Sequence, residues 1–199
     1  IYIAAPIGIT VEGANIMTRA LIIFGQGALR AHPFAYKEVA AVEKKDLRAF
    51  DQAFFAHVGH VVQNLFRAVL LSLTRGRLVR PPVGGAVGCY YQRLSWISAS
   101  FAIMADIAMA GLGGTLKVRE KITGRFADIL SWMYMGFAVL RRFEAEGRRK
   151  EDLPFVHYNL QYGLARIQNA FDGIFENIGI AGLGWFFKGF IRWWSHLNS

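Results

Sequence analysis

Apolar residues recur every three or four positions through most of this chain, a spacing that places them on one face of an α-helix. Six segments carry the pattern: residues 16–31, 34–42, 47–74, 90–112, 123–146 and 153–178. Strict alternation of apolar and polar residues, which marks a half-buried strand, does not persist anywhere after residue 12. The sequence therefore predicts an all-α fold in which long antiparallel helices form a bundle.

Residues that begin and end helices agree with these limits. Asn15 is a suitable N-cap for the first helix, and Asp46 and Asp152 are suitable N-caps for two of the long ones. Pro33 stops the first helix, because the residue before a proline avoids helical backbone angles. Gly76 ends the helix that begins after Asp46, as a glycine beyond the last turn commonly does.

The segment 77–88 is the clearest loop, since it contains Pro81-Pro82 and Gly84-Gly85. It has neither a glycine fingerprint after a strand nor the lysine and hydroxyl residue of a P-loop, so we interpret its glycines as a source of flexibility. A domain boundary in this loop separates residues 1–80 from residues 81–181, and residues 182–199 form a separate tail.

The tail, residues 182–199, differs from the helices because it is short, rich in aromatic residues and carries only positive charges. Two interpretations fit this composition. The rings can lie at the headgroup level of a membrane with lysine and arginine facing outward, or the tail can pack against a partner surface. The tail is too short to span a membrane.

The composition indicates a surface that needs a covering partner. Of the 199 residues, 54% are hydrophobic and 19% are charged, and the mean hydropathy is +0.28. Such a surface is typical of a protein covered by another subunit, by the rest of a longer chain or by a membrane face. No signal peptide is recognisable, and the first nine residues resemble the middle of a larger fold, so we expect a fragment.

The best candidate for a membrane span is residues 97–116, but Asp106 lies in its middle. We therefore predict a buried bundle helix in which Asp106 is an interior hydrogen-bonding residue. His57 and His60 can share one helix face, but no further ligands are implied, so we expect structural or surface histidines and no metal site. The single cysteine, Cys89, excludes an internal disulfide and is expected to be a free packing residue.

The net charge of +9 suggests an anionic partner, which can be nucleic acid, anionic lipid or an acidic ligand. No nucleic-acid-binding motif accompanies the charge, so we do not expect nucleic acid to be the partner. The basic residues are scattered through apolar helices rather than gathered in one sequence motif.

The stretch 10–19 places Glu12, Gly13 and Asn15 at the mouth of the first helix. Glu12 is either a catalytic base or an ordinary acid beside a helix start, where the helix dipole favours negative charge. From the residues alone, the second interpretation is the favoured one.

A resemblance reverses that preference. Residues 10–30, TVEGANIMTRALIIFGQGALR, are similar to the end of the dehydrogenase core of bacterial long-chain acyl-CoA dehydrogenases. Five later segments are similar to the helical C-terminal extension of the same enzymes. They are AMAGLGGTLK at 108–117, Arg119-Glu-Lys121, GRFADILS at 124–131, Asp152-Leu-Pro154 and Val156-His157. These blocks follow the family's order from about residue 9 to about residue 178, and only the tail is unaccounted for.

The resemblance implies that Glu12 is the base that removes the α-proton of a long-chain fatty acyl-CoA, while the β-hydrogen leaves as hydride to N5 of FAD. The product is a trans-2-enoyl-CoA. Burial raises a glutamate pKa toward a value suited to this task. Gly13, Ala14 and Asn15 would lie near the cofactor, although many relatives carry Thr or Ser where this chain has Ala14.

The resemblance also implies that residues 1–80 end the dehydrogenase's C-terminal helical domain and that residues 81–181 form the extension. The N-terminal helical and middle β domains, which supply most flavin and acyl-CoA contacts, are not in this sequence, so we expect the chain alone to be inactive. For the parent protein we expect a homo-oligomer, an electron-transfer acceptor, and a cytoplasmic location with peripheral contact at the inner membrane face. The alternative is a non-catalytic helical module for dimerisation or membrane docking.

Overall fold

The computed structural model of the chain describes residues 15–180 and 184–197. All regular secondary structure in these residues is helical, which confirms the predicted all-α fold. The helices are α1 (Thr18–Gln26), α2 (Gly27–Ala31), α3 (Ala35–Glu43), α4 (Leu47–Leu73), α5 (Gly88–Leu112), α6 (Glu120–Ala145), α7 (Leu153–Asn177), α8 (Gly184–Phe186) and α9 (Arg192–Leu197). Short 3₁₀ helices at Gly113–Val118 and Lys150–Asp152 precede α6 and α7, and a π-helical turn at Phe187–Ile191 joins α8 to α9.

The first predicted helix has a different winding from the one expected. α1 is a π-helix, whose hydrogen bonds reach one residue further than those of an α-helix, and ordinary winding begins at Gly27 in α2. Asn15 is not an N-cap, because it already lies in the helical turn 15–17. α2 ends before His32, whose backbone is extended ahead of Pro33, as predicted.

Among the other predicted helix ends, two are confirmed and one is wrong. Asp46 caps α4 by accepting a hydrogen bond from the backbone N–H of Ala49 at 3.0 Å. Beyond α4, Gly76 adopts a φ of 73°, and its N–H donates to a carbonyl of the last turn. Asp152 precedes α7 but makes no capping hydrogen bond, because Arg149 engages its carboxylate at 2.9 Å.

The core lies between α6 and α7, which run antiparallel because a short connection joins them and they pack along each other. The almost fully buried side chains of this pair are Phe126, Ile129, Leu140, Ile167 and Ile174. Phe24 of α1 adds to them, since its ring stacks on that of Phe126 with centroids 4.2 Å apart. Burying one such side chain is worth about 1.5–3 kcal/mol, so this cluster is the main stabilising feature of the bundle.

The apolar face predicted for α4 is present but uncovered in the described residues. α4 contacts mainly α3 and α5, and its buried residues are Ala53, Asn64, Ala68 and Leu71. Phe55 and Phe66 on the outside are 71% and 73% exposed. The helical stretches Leu47–Leu73 and Gly88–Val118 are long and apolar enough to cross a membrane, by criteria that core helices of soluble proteins also meet.

The described part of the tail packs on α7 and on the end of α4. Phe187 is buried, and its ring stacks near that of Phe175 with centroids 6.4 Å apart. The indole N–H of Trp194 donates to the hydroxyl of Ser72 at 2.6 Å. The outward aromatic residues of this segment are Trp185, Phe190 and Trp193. The segment therefore has one anchored side and one open aromatic side.

Candidate functional site

The predicted catalytic and cofactor residues lie at the N-terminal edge of the described structure. Glu12, Gly13 and Ala14 lie outside the described residues, and Asn15 is exposed in the turn ahead of α1. The roles assigned to these four residues stay predictions. What the structure does describe is how the helix that follows the predicted base is held in place.

α1 is fixed to α6 by two sets of polar contacts. The Nε and Nη2 atoms of Arg19 donate to the two carboxylate oxygens of Asp128, each at 2.5 Å. This hydrogen-bonded carboxylate raises the pKa of Arg19. The hydroxyl of Thr123 donates to the carbonyl of Ala20 at 2.6 Å, inside the protein. These bonds hold α1 against α6.

A second polar group joins the turn after α2 to α3, α4 and α5. Its members, hereafter the histidine cluster, are His32, Glu38, His57, His60, Asn64 and Asp106. His32 Nδ1 accepts hydrogen bonds from the backbone N–H groups of Phe34 at 3.3 Å and Ala35 at 3.0 Å. An acceptor nitrogen carries no proton, so the proton of a neutral His32 is on Nε2. That Nε2–H donates to Asp106 Oδ1 at 3.1 Å.

The remaining contacts of the cluster surround the same aspartate. His57 Nδ1 lies 2.8 Å from Glu38 Oε1, and His57 Nε2 lies 4.0 Å from Asp106 Oδ1. The other oxygen of Asp106 is buried and has no hydrogen-bond partner among the described residues. Burial lowers the pKa of His32, and the neighbouring Asp106 carboxylate opposes this only in part. The predicted interior hydrogen-bonding role of Asp106 is confirmed.

Part of the cluster has the spacing of a metal site, because ligand atoms of His32, His57 and Asp106 lie within 4.8 Å of one another. A histidine binds a metal through a nitrogen that carries no proton. His32 Nδ1 already faces two backbone donors, so its Nε2 keeps the proton and offers no lone pair to a metal. This tautomer makes the cluster a hydrogen-bonded junction between helices.

Sequence reasoning missed His32 and Glu38 as members of this group. Their partners come from other helices, and the residues near position 32 do not indicate a contact with position 106. The position of His32 before Pro33, at a helix end, was the only local signal. Cys89 is free but exposed, not packed as expected, because it faces outward in the first turn of α5.

A cleft of about 500 Å³ lies between α1, α6 and α7. We call it the basic cleft. Its charged lining residues are Arg19, Lys121, Arg125, Asp128 and Arg166, and its uncharged lining residues are Trp132, Asn169 and Ala170. The carboxylate of Asp128 is already paired with Arg19. The cleft therefore presents a net positive field to solvent.

These features define an all-helical bundle whose first helix comes after the predicted catalytic residue Glu12 in the sequence. The family model described as "Acyl-CoA dehydrogenase, C-terminal, bacterial type" matches residues 29–199. The match covers most of the chain, so the protein belongs to this family of acyl-CoA dehydrogenase C-terminal domains. No solved structure matches the chain.

The family match confirms the resemblance seen in the sequence and extends it through the tail, which the resemblance had left unaccounted for. The match begins at residue 29, so Glu12 and its neighbours 13–15 lie outside it. It also continues across the boundary predicted between residues 80 and 81, which stays a prediction.

Proposed function

We propose that this chain is the C-terminal part of an FAD-dependent acyl-CoA dehydrogenase. The parent enzyme would convert long-chain fatty acyl-CoA to trans-2-enoyl-CoA in fatty acid β-oxidation. The observation that carries the proposal is the family match over residues 29–199, and the Glu12-Gly13 stretch precedes the matched residues in the sequence. Proton abstraction next to a thioester requires a carboxylate base and a hydrogen-bond donor to the thioester carbonyl.

The reaction assigned to Glu12 accounts for both hydrogens that leave the substrate and for their electrons. Its carboxylate takes the α-proton of the acyl thioester, the β-hydrogen leaves with its electron pair, and the bond between the two carbons becomes the trans double bond. The backbone N–H of Glu12 donates to the thioester carbonyl, where negative charge develops. When bound, FAD supplies the acceptor for the hydride at N5.

The described residues support this site from one side. Asn15 is the predicted cofactor contact that the structure describes, and its exposed position ahead of α1 leaves it accessible to a ligand. The bonds from Arg19 to Asp128 and from Thr123 to Ala20 hold α1, the helix that comes after the predicted base in the sequence. Holding a catalytic group on a rigid element is how enzymes reduce the entropic cost of reaction.

The substitution that tests the proposal is Glu12→Gln in the parent protein. The amide keeps the size of the side chain but cannot accept the α-proton at a useful rate. We expect the rate at which a long-chain acyl-CoA reduces the flavin to fall by at least about a thousandfold, with the flavin content unchanged. The loss of flavin absorbance measures this rate. Glu12→Asp, which keeps a shorter base, should retain part of the rate. Undiminished bleaching in Glu12→Gln would remove Glu12 from the mechanism.

A second function is favoured by the open aromatic side of the tail. Trp185 is 76% exposed and Trp193 is 56% exposed, close in sequence to Lys188 and Arg192. Rings and cations in this arrangement suit the headgroup region of an anionic membrane. We propose a cytoplasmic parent, a homo-oligomer that passes electrons to a separate acceptor, with peripheral contact at the inner membrane face through this segment.

Vesicle co-sedimentation tests the membrane contact. Replacing Trp185 and Trp193 with serine should reduce partitioning onto vesicles that contain phosphatidylglycerol by about tenfold or more. The matched control is Tyr134→Ser/Phe155→Ser, which removes two exposed aromatic residues outside the tail. If the tail variant and the wild type partition equally, the segment packs against a protein surface instead.

A further inference from the structure

We propose that the basic cleft binds the phosphate groups of a soluble nucleoside diphosphate. The inference stands on the cleft and does not depend on the reaction proposed above. It begins with three cations that converge from two facing helices: Lys121 and Arg125 on α6, and Arg166 on α7. Like charges gathered in one concave site repel each other, so the arrangement favours a bound anion that neutralises them.

The three cations have no acidic partner among the residues that the structure describes. Elsewhere on α6 the arginines do have partners. Arg141 pairs with Glu144 at 3.3 Å, and Arg142 pairs with Glu146 at 3.0 Å. Among the described residues that line the cleft, Asp128 is the one carboxylate, and Arg19 occupies both of its oxygens. The charge that the cleft lacks must therefore come from outside these residues.

Arg125 is held in the cleft by a specific packing arrangement. Its half-buried guanidinium lies directly on the backbone of α7 at Gly173, where even a methyl group would overlap the Arg125 Nη1, Cζ and Nε atoms. Only glycine leaves this space. A guanidinium presents its donors in a planar fork that matches two phosphate oxygens.

The other lining groups favour a nucleotide over inorganic phosphate. Trp132 is half-buried in the cleft, and its ring packs edge-to-face against Tyr162 with centroids 5.4 Å apart. Asn169 adds an amide that can donate and accept. An aromatic ring beside cations provides a stacking surface for a base next to a phosphate site. The volume of about 500 Å³ lies within the usual range for small-molecule sites.

Calorimetric titration of the chain with ADP provides the test. We expect saturable binding with a Kd below about 1 mM, weaker binding of pyrophosphate and no binding of adenosine. The double variant Lys121→Gln/Arg166→Gln should weaken ADP binding at least about tenfold, because two charge-assisted hydrogen bonds are lost. The matched control Arg141→Gln/Arg149→Gln removes the same charge from paired positions and should change Kd by less than about twofold.

Gly173→Ala tests the geometry without changing any charge. The added methyl displaces the guanidinium of Arg125, whose flexible side chain can move away, so the fold is kept and ADP binding should fall about tenfold or more. Gly59→Ala is the control, since a methyl there meets nothing within 4 Å. An unchanged Kd in Gly173→Ala, together with retained melting temperature, contradicts the role assigned to Arg125.

Three outcomes overturn the proposal. The first is no saturable ADP binding by the wild type, and the second is an equal loss in both double variants, which reports net charge alone. The third comes from vesicles that contain phosphatidylglycerol: if they bind through Lys121 and Arg166 while ADP does not, the phosphate comes from lipid headgroups. None of these results bears on the proposal that Glu12 is the catalytic base, because flavin reduction in the Glu12→Gln variant tests that proposal separately.

Discussion

His32 and Asp106, which are 74 positions apart, form a hydrogen bond of 3.1 Å that joins the turn after α2 to the C-terminal third of α5. Their side chains are 9% and 6% exposed, so the bond is shielded from water. Removing either partner leaves a buried polar group without its bond, which costs about 1–3 kcal/mol. The pair therefore links the start of the chain to the rest of the bundle.

The pH dependence of stability follows from the lowered pKa of His32. Its ordinary value is near 6.5, and burial holds the folded-state value below that. The folded protein then binds fewer protons at this site than the unfolded chain, so the stability that neutral His32 contributes is present above about pH 6.5 and is lost as the pH falls through the folded pKa. We expect the urea midpoint to decrease between about pH 6.5 and pH 5.

Two histidine variants show whether His32 causes this decrease. His32→Gln keeps an acceptor for the Ala35 N–H and a donor for Asp106 but does not titrate, so the midpoint should vary less with pH. His196→Gln, in the exposed part of α9, should leave the decrease in place. A pH profile that is equally steep in His32→Gln and the wild type contradicts the assignment.

The unpartnered oxygen of Asp106 leads to a prediction about its amide. Asp106→Asn keeps an acceptor for His32 and removes a buried charge, so the free energy of unfolding should stay within about 1 kcal/mol of the wild-type value. Asp106→Ala leaves the His32 N–H unpaired and should cost about 1–3 kcal/mol. Urea denaturation of both variants at pH 7.5 measures the difference, and equal losses would show that the charge itself is required.

The ion pair of Arg19 and Asp128 is best measured by a double-mutant cycle. The two side chains are 54% and 31% exposed, so water screens the pair. Its two-point geometry is favourable, and we expect a coupling free energy of about 0.5–1 kcal/mol, reduced by 1 M salt. Thermal unfolding of Arg19→Ala, Asp128→Ala and the double variant supplies the cycle. A coupling of zero at low salt would mean that Thr123 and the apolar core alone hold α1.

Gly76 and Gly59 form a matched pair for the effect of a methyl group. Gly76 has a φ of 73°, and a Cβ there would lie 2.5 Å from the carbonyl oxygen of Gln92, so Gly76→Ala should destabilise by about 1–3 kcal/mol. Gly59 is in the interior of α4 with open space around it, so Gly59→Ala should stabilise by up to about 1 kcal/mol. Melting temperatures that shift in the same direction would contradict this account.

Local sequence was sufficient for the parts of the fold that local physics decides. The apolar spacing located the long helices, and Asp46 and Gly76 marked the two ends of α4 because capping involves only neighbouring residues. Asp152 was misjudged as a cap because Arg149, three positions away, competes for the same carboxylate. Periodicity also could not separate the π-winding of α1 from ordinary α-winding.

The polar sites depend on contacts that the sequence does not reveal. The bond between His32 and Asp106 exists because α2 and α5 are brought together by the bundle. The overlap of Arg125 with the backbone at Gly173 has the same origin, since helical periodicity says nothing of how two helices are rotated against each other. The predicted role of Glu12 came from resemblance, and it rests on residues that lie outside the described structure.

The outer face of α4 has a practical consequence for the protein in solution. Phe55 and Phe66 belong to a row of bulky side chains along 27 residues, about 40 Å at 1.5 Å per residue. Association through such rows increases with protein concentration, whereas repulsion from the net charge of +9 keeps molecules apart at low ionic strength. Sulfate salts screen that repulsion and strengthen apolar attraction, so colloidal stability should decline sharply in ammonium sulfate and recover on dilution into low-salt buffer.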